Sequence, residues 1–315
     1  MRLFNGFLEG DPDLAIDLYG RTVLLHNYAE DPAGAEAAAA KIRQAWQFLH
    51  GELPWLQAAL VKMRSVPDAQ HAARRGILLE GSAGQIDSKI CEDDVWYALD
   101  LTMHQDASLY LDTRLLRRWL KINLAGMSVL NTFAYTGSLG VAALAGGAGR
   151  VVQLDLSRRF LNLARVSYQL NGFPIREEDF IAGDFFTEVN RLKRRGELFD
   201  CVLLDPPFFA VTDRGRVDLV SQSQRLINKV RPLVNDGGRL VTINNALFLS
   251  GQDYYTLLKD LCAGGYLSIE ELIPVPPDFT GYPETVAGAP PVDPAPFNHS
   301  TKIAVLGVKR KIAGF

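Results

Sequence analysis

The segment CVLLDPPFF carries the sharpest chemical pattern in the chain: an apolar run, 201–204, that ends in Asp205-Pro206-Pro207-Phe208-Phe209. Proline fixes its own φ and biases the residue before it away from helix, so the two prolines predict an extended turn at a strand end. An aspartate carboxylate and a proline carbonyl held there can accept hydrogen bonds from an amino group. The aromatic rings that follow, Phe208 and Phe209, can stack on a planar base. A strand that simply stops at proline and buries two phenylalanines is the plain alternative.

A second pattern lies upstream in NTFAYTGSLG, residues 131–140, between an apolar run and the small-residue stretch VAALAGGAG. It reads as strand, glycine turn, helix. Open parallel sheets bind ligands at the carboxyl ends of their strands, where the strand order reverses. A dinucleotide pyrophosphate asks for G-x-G-x-x-G at such a turn, but here Tyr135 stands where the first glycine belongs, ahead of Gly137 and Gly140. That weakens a nicotinamide reading. S-adenosylmethionine (SAM) has no pyrophosphate and asks less: a glycine such as Gly137 beside Thr136 for close approach, and helix amides for its carboxylate. Two acids follow in order. Asp155 ends VVQLD, placed for two ribose hydroxyls, and Asp184 follows Gly183 in AGDFF, placed for an adenine amino group. Loop solvation or helix capping is the alternative role for either acid. The ordered series of turn, acid, acid and DPPF is what favours a nucleotide-type cofactor.

The elements that must hold these residues follow from their spacing. Strand candidates at 127–133, 151–156, 179–182, 199–205, 238–244, 267–273 and 302–308 are separated, for the first six, by helical stretches. Alternation of this kind predicts an α/β fold with a parallel sheet covered on both faces. Residues 1–108 read instead as a small α+β unit. LAIDLYG and TVLLHNY look like strands, AGAEAAAAKIRQAWQFLHG like a helix ending near Gly51, and further short strands are expected at 58–63, 77–79 and 95–101. The boundary is expected near residue 108, with a substrate-side domain before it and a cofactor domain over 109–315. Between Ile273 and Lys302 runs a connection holding eight of the chain's 16 prolines. Unstructured links of that length are uncommon unless they serve a function.

Composition narrows the classes. No apolar run reaches a membrane span and the first residues lack a signal-peptide pattern, which gives a cytoplasmic expectation. The three cysteines, Cys91, Cys201 and Cys262, are too scattered for a disulfide framework or a zinc site, and no metal is expected. The net charge of -3 is unevenly spread. Residues 1–109 hold 9 basic and 16 acidic side chains and the remainder 24 and 20, so nucleic-acid contact is expected on the later part. The acidic early part is a candidate homodimer surface.

The chain resembles the class I SAM-dependent methyltransferases of the bacterial 23S rRNA cytosine-C5 and guanine-N7 type. YLDTR at 110–114, NTFAYTGSLGVAALAGGA, DLSRRFLNLARVSYQLNG and LLDPPFF resemble that family's ordered motifs, and RLFNGFLEGDPDLAIDLYG resembles the start of its middle, substrate-side domain. The family usually opens with a small RNA-binding PUA domain, and this chain starts after that point. The resemblance implies a Rossmann-like seven-stranded sheet and a SAM pocket lined by Tyr110, Asp112, Arg114, Phe133, Tyr135, Gly137, Asp155, Ser157, Asp184 and Asp205. It implies an RNA base as acceptor.

The acceptor atom is read from what is missing. Cytosine C5 needs a cysteine adduct at C6. The C5 branch carries Ser-Cys after the strand matching 238–244, whereas this chain has Asn244-Asn245, like the N7 branch. Cys201 falls at the strand end remote from the site. No covalent cysteine step is expected, and a nitrogen acceptor needs mainly alignment of nucleophile, methyl and sulfur. The proline-rich link is expected beside the acceptor, with Asn298, His299 and Lys302 in PFNHSTK as contacts; a structural His299 is the plain alternative. Rival readings are a methyltransferase for a small molecule or protein, an NAD-dependent oxidoreductase, and a non-catalytic SAM- or RNA-binding module.

Overall fold

A computed structural model describes residues 1–29, 35–65, 71–103, 107–212, 215–288 and 293–310. The chain divides into two compact units, each interrupted in sequence. The first comprises 1–92, 98–111 and 276–291; the second comprises 93–97, 112–275 and 292–315. The single cut expected near residue 108 therefore differs from this division in two places. Residues 93–97 belong to the second unit, and much of the proline-rich connection belongs to the first.

In the first unit β1 (Arg2–Asn5), a short α1 (Gly6–Glu9), β2 (Leu14–Tyr19), β3 (Thr22–Asn27), α2 (Ala35–Glu52), β4 (Ala58–Met63), α3 (His71–Arg75) and β5 (Ile77–Glu80) follow in order. The five strands form one sheet in sequence order, and only β3 and β4 run parallel, joined through α2. Alternation decides the faces. Leu14, Ile16, Val23, Leu25, Ala59 and Val61 pack with Ile42 and Trp46 of α2. The other parity of β2, β3 and β4 carries Asp17, His26 and Lys62, all buried. Arg2 answers Asp17 through Nε at 3.0 Å, and His26 Nε2 lies 3.0 Å from the same carboxylate. Arg2 and its neighbourhood are finished by α10 (Pro277–Thr280), which comes from the proline-rich connection. Asp278 accepts the Arg2 backbone N–H at 2.9 Å, and Asn5 Nδ2 donates to the Phe279 carbonyl at 2.8 Å. Strands β6 (Lys89–Glu92) and β7 (Val95–Ala98) follow β5 in the chain.

The second unit is built on α4 (Arg114–Asn123), β8 (Ser128–Thr132), α5 (Ser138–Ala145), β9 (Arg150–Asp155), α6 (Arg158–Leu170), β10 (Phe180–Ala182), α7 (Phe185–Arg194) and β11 (Phe199–Leu204). A hairpin, β12 (Phe209–Thr212) and β13 (Gly215–Asp218), then leads to α8 (Leu219–Val230), β14 (Val234–Asn244), α9 (Gly251–Cys262), β15 (Leu267–Ile273) and β16 (Lys302–Val308). The hairpin has no counterpart in the sequence-based expectation; the seven sheet strands all do. Their order is β10-β9-β8-β11-β14-β16-β15, parallel from β10 to β14, with β16 antiparallel to both of its neighbours.

Near-continuous apolar strands make sense here because both sheet faces are covered. Val202 and Leu204 join Phe185, Val189, Ile227 and Leu258 from α7, α8 and α9, while Cys201 and Leu203 join Leu116, Leu120 and Leu139 from α4 and α5. The chain moves outward from β8 to β10 and then returns to β11 on the other side of β8. The carboxyl ends of β8 and β11 thus flank the switch point where this topology opens a crevice.

Candidate functional site

The turn after β8 is unusual in its backbone. Phe133, Tyr135 and Gly137 take φ of 55°, 51° and 76°. For the two aromatic residues the left-handed region costs on the order of 1–3 kcal/mol each, which surrounding contacts must offset. They do. Phe133 stacks on Phe185 with ring centroids 4.4 Å apart, and Tyr135 meets the Phe160 ring edge-on at 4.6 Å. The Tyr135 N–H donates to Asp155 Oδ2 at 2.8 Å, and the Ala134 N–H to the Leu154 carbonyl at 2.9 Å. Thr136 is buried. Gly137 caps α5 without a side-chain hydrogen bond, so the first-turn amides of that helix are not capped by a side chain.

Under the turn lies a residue that sequence reasoning passed over. Gln153, wholly buried in β9, accepts from Asn131 Nδ2 at 2.8 Å and donates to the Gly137 carbonyl at 3.3 Å. A Cβ on Gly140 would fall 2.1 Å from Gln153 Nε2, which is why a glycine stands there. The signal was available as one amide inside the apolar strand VVQLD.

Both acids at the ends of β9 and β10 have structural work. Asp155 accepts the Tyr135 N–H on one oxygen and the Ser157 N–H on the other, each at 2.8 Å. Burial pushes its carboxyl above the usual carboxylate range, against those backbone donors. Each oxygen keeps a further lone pair for a hydroxyl. Beside it Leu156 is 68% exposed, an apolar surface next to the carboxylate that was not anticipated. Ser157 caps α6, accepting from the Phe160 N–H at 3.4 Å. Asp184 caps α7: its Oδ1 accepts from the Thr187 N–H at 2.9 Å and the Thr187 hydroxyl at 3.0 Å. The capping role weighed for these acids is thus real for Asp184.

Asp205 differs from both. It follows β11 at the switch point, is partly buried, and accepts no hydrogen bond among the described residues. Crowding by protein and the neighbouring Asp112 carboxylate push its pKa up to about 7. Asp112 is itself held by the Thr301 hydroxyl at 2.9 Å, and Thr301 is a second residue missed from the sequence. Pro206 is buried, Pro207 exposed, and the Phe208 ring 41% exposed. Phe209 opens β12, and its side chain lies outside the described residues. Arg114 begins α4, partly buried; Tyr110 belongs to the first unit and is exposed.

The expected acceptor contacts separate into two kinds. Asn245 is exposed, but Asn244 is fully buried, donating to Ser223 Oγ at 3.0 Å and accepting the Ala246 N–H at 2.9 Å. Lys302 is also fully buried. Its Nζ donates to the carbonyls of Ala246, at 3.1 Å, and Ser300, and burial pushes its pKa down to about 8. Asn244 and Lys302 are therefore corrected from acceptor contacts to loop supports, because a side chain closed off from solvent cannot meet an incoming base. Asn298 pairs its amide with both backbone groups of Val275 at 2.9 Å, tying together the ends of the proline-rich connection. His299 Nδ1 accepts from the Thr301 N–H at 3.0 Å, which leaves its proton on Nε2. Cys201 is buried at the amino end of β11, opposite Val129, and burial pushes its thiol up to about 12. Among the described residues no group of three or more His, Cys, Asp or Glu is gathered to hold a metal, and no helix is long and apolar enough to cross a membrane.

Comparison with known proteins bears on this geometry. The family model described as S-adenosylmethionine-dependent methyltransferase matches residues 2–288. The ribosomal RNA large subunit methyltransferase I of Aeromonas salmonicida is 31% identical over 289 residues, covering 90% of this chain and 71% of that protein. The protein of the same name from Photobacterium profundum is 29% identical, covering 85% of this chain and 66% of its own length. Among solved structures, SMU.776 complexed with SAH superposes with a TM-score of 0.79 at 22% identity, over 98% of this chain and 74% of that one. The SAM-dependent methyltransferase from Agrobacterium tumefaciens does so with a TM-score of 0.64 at 19% identity, over 95% and 88%. The last two likenesses show the fold.

Proposed function

Because the chain belongs to the S-adenosylmethionine-dependent methyltransferase family, we propose that it transfers the SAM methyl group to a nitrogen of an RNA base, with ribosomal RNA as the substrate. SAM supplies an electrophilic methyl group on a sulfonium. The residues present fit such a ligand. α5 offers first-turn amides with no side-chain cap to a carboxylate, and Asp155 and Asp184 stand at successive strand ends for the ribose and adenine. The exposed Leu156 gives the adenine an apolar neighbour. In this reading Phe133, Tyr135, Thr136, Gly137, Ser157, Asp112 and Arg114 complete the pocket.

The observation that carries the nitrogen reading is Asp205. A carboxyl at the switch point, with a pKa of about 7 and no hydrogen bond among the described residues, is free to take one from the acceptor. It can hold an amino N–H, accept its proton as the new N–C bond forms, and release it to solvent. Pro206 offers a carbonyl to the same group, and the half-exposed Phe208 ring offers a face for the base. A ring nitrogen with a free lone pair needs only the alignment these groups provide. Asn245 and His299 are the remaining polar contacts in this reading, and Phe209 a second aromatic one. The names of the relatives support RNA as acceptor, and a cytoplasmic setting follows from that substrate. The acidic early part is read as a homodimer surface.

The test is incubation of the purified chain with methyl-labelled SAM and ribosomal RNA from cells lacking its gene, followed by digestion and mass identification of labelled nucleosides. A labelled N-methylguanine or N-methyladenine is expected. Labelled 5-methylcytosine would refute the nitrogen assignment, and SAM binding with no labelled RNA would turn the search to small molecules and proteins.

A further inference from the structure

The loop that follows β14 is clamped from beneath and apolar on top. Leu204 of β11 pairs with Thr242 of β14, so the chain leaves these neighbouring strands side by side, as Asp205-Pro206 on one and Asn244-Asn245 on the other. Ala246 is wholly buried; Asn244 Oδ1 takes its N–H and Lys302 Nζ donates to its carbonyl. Four residues on, Ser250 caps α9 by accepting the Asp253 N–H at 3.0 Å. Between these anchors Leu247 is 39% exposed and Phe248 is 79% exposed, more than any other large apolar side chain among the described residues. A slack loop would turn such a ring inward, toward the partly buried Leu249 and Tyr255 that pack on the core below. Here the buried polar contacts at the base hold the Ala246 backbone, and the Phe248 ring stays exposed.

We propose that Phe248 is a substrate-positioning residue: its ring is a stacking face for the nucleotide that flanks the methylated base in a single-stranded stretch of RNA. The inference rests on the RNA reading above. Phenylalanine has no hydrogen-bonding group, so its ligand is recognised by a flat apolar face, and every base has one. Its place fixes which base. Phe208 lies in the loop after β11, three residues past Asp205, and in the reading above serves the acceptor itself, while Phe248 lies in the loop after β14, the next strand along the same sheet edge. The flanking base held there would keep the strand splayed, with the acceptor unstacked and turned toward Asp205.

Steady-state methyl transfer from labelled SAM to large-subunit ribosomal RNA, run on the wild type, F248A, F248L and F248Y, tests this. F248A should raise KM for RNA about tenfold, with kcat within about twofold of the wild type and with SAM affinity and melting temperature unchanged. F248Y should restore KM and F248L should not, since leucine keeps bulk and lacks the aromatic face. An unchanged KM in F248A, or full recovery in F248L, overturns the proposal. So does a loss of dimer in sedimentation with no change in KM, which would make the ring a contact between copies. A wild type that labels no RNA brings down the RNA reading and this inference together. A wild type that labels RNA while F248A equals it removes only this inference.

Discussion

The two halves of one sheet edge treat their carboxylates in opposite ways. On the β9 and β10 side, Asp155 and Asp184 are tied to backbone amides and serve as part of the scaffold. On the β11 side, Asp205 stands free of hydrogen bonds among the described residues and is pushed up to about 7 by crowding and by Asp112. The first half can present fixed charge to a ligand that must be held; the second can change its charge while a ligand reacts. A binding half wants groups that do not move or titrate, and a reacting half wants one whose pKa lies near the working pH.

The largest expected effect tests the reacting half. For an amino acceptor, Asp205→Asn should lower kcat by roughly 10²–10⁴-fold with SAM affinity little changed, as measured by single-turnover transfer and by calorimetric binding. In the wild type kcat should rise with pH through about 7, as Asp205 loses its proton, and then level off; the variant should lose that rise. If Asp155→Ala instead abolished turnover with SAM affinity intact, the comparison would be broken. Its expected effect is on binding: SAM affinity weaker by about 10–100-fold, with a lower melting temperature, because two backbone N–H groups lose a charged acceptor.

Stability sharpens the contrast. Gly137→Ala should destabilise by about 2 kcal/mol or more, since a side chain at φ 76° is strained and its Cβ would fall 2.6 Å from that of Ala164. Asp205→Asn should act the other way above neutral pH. The folded Asp205 keeps its proton up to about 7, whereas the unfolded side chain loses it near 3.8. The stability from the protonated form is therefore present below about pH 4 and lost as pH rises through about 7. Denaturant titration should find the variant more stable by up to about 4 kcal/mol at about pH 8, with the advantage fading toward pH 4. The smallest effect belongs to the cysteines. Replacing Cys91, Cys201 and Cys262 together by alanine should cost about 1 kcal/mol of stability at buried Cys201 and leave turnover within about twofold. An obligatory cysteine adduct would contradict the role given to Asp205.

How much of this was legible depended on how local each cause was. The seven sheet strands could be read because burial on both faces writes itself as unbroken apolar runs such as CVLLD. Gly137 and Gly140 were visible as a turn, yet the reason for Gly140, the approach of Gln153 from the neighbouring strand, is a contact between residues 13 apart. Lys302 shows the limit most clearly. A lysine at a strand start reads as exposed, and only the tertiary contacts of its Nζ with Ala246 and Ser300 reveal it as a buried brace. The two units were harder still, because composition changes once, near residue 109, whereas contacts also assign 93–97 to the second unit and 276–291 to the first. α10 comes from a proline-rich stretch that looks like an unstructured link, and nothing local announces that Asp278 and Phe279 belong with Arg2 and Asn5.

That pairing has a consequence for how the chain is made. Synthesis is vectorial, and Arg2 emerges 276 residues ahead of the carboxylate that receives its N–H. At ordinary elongation rates the gap is on the order of tens of seconds. The first unit can therefore begin its sheet early but cannot be completed until α10 has left the ribosome. Early termination anywhere before α10 leaves the first unit without its closing segment, so a truncated product carries no finished half.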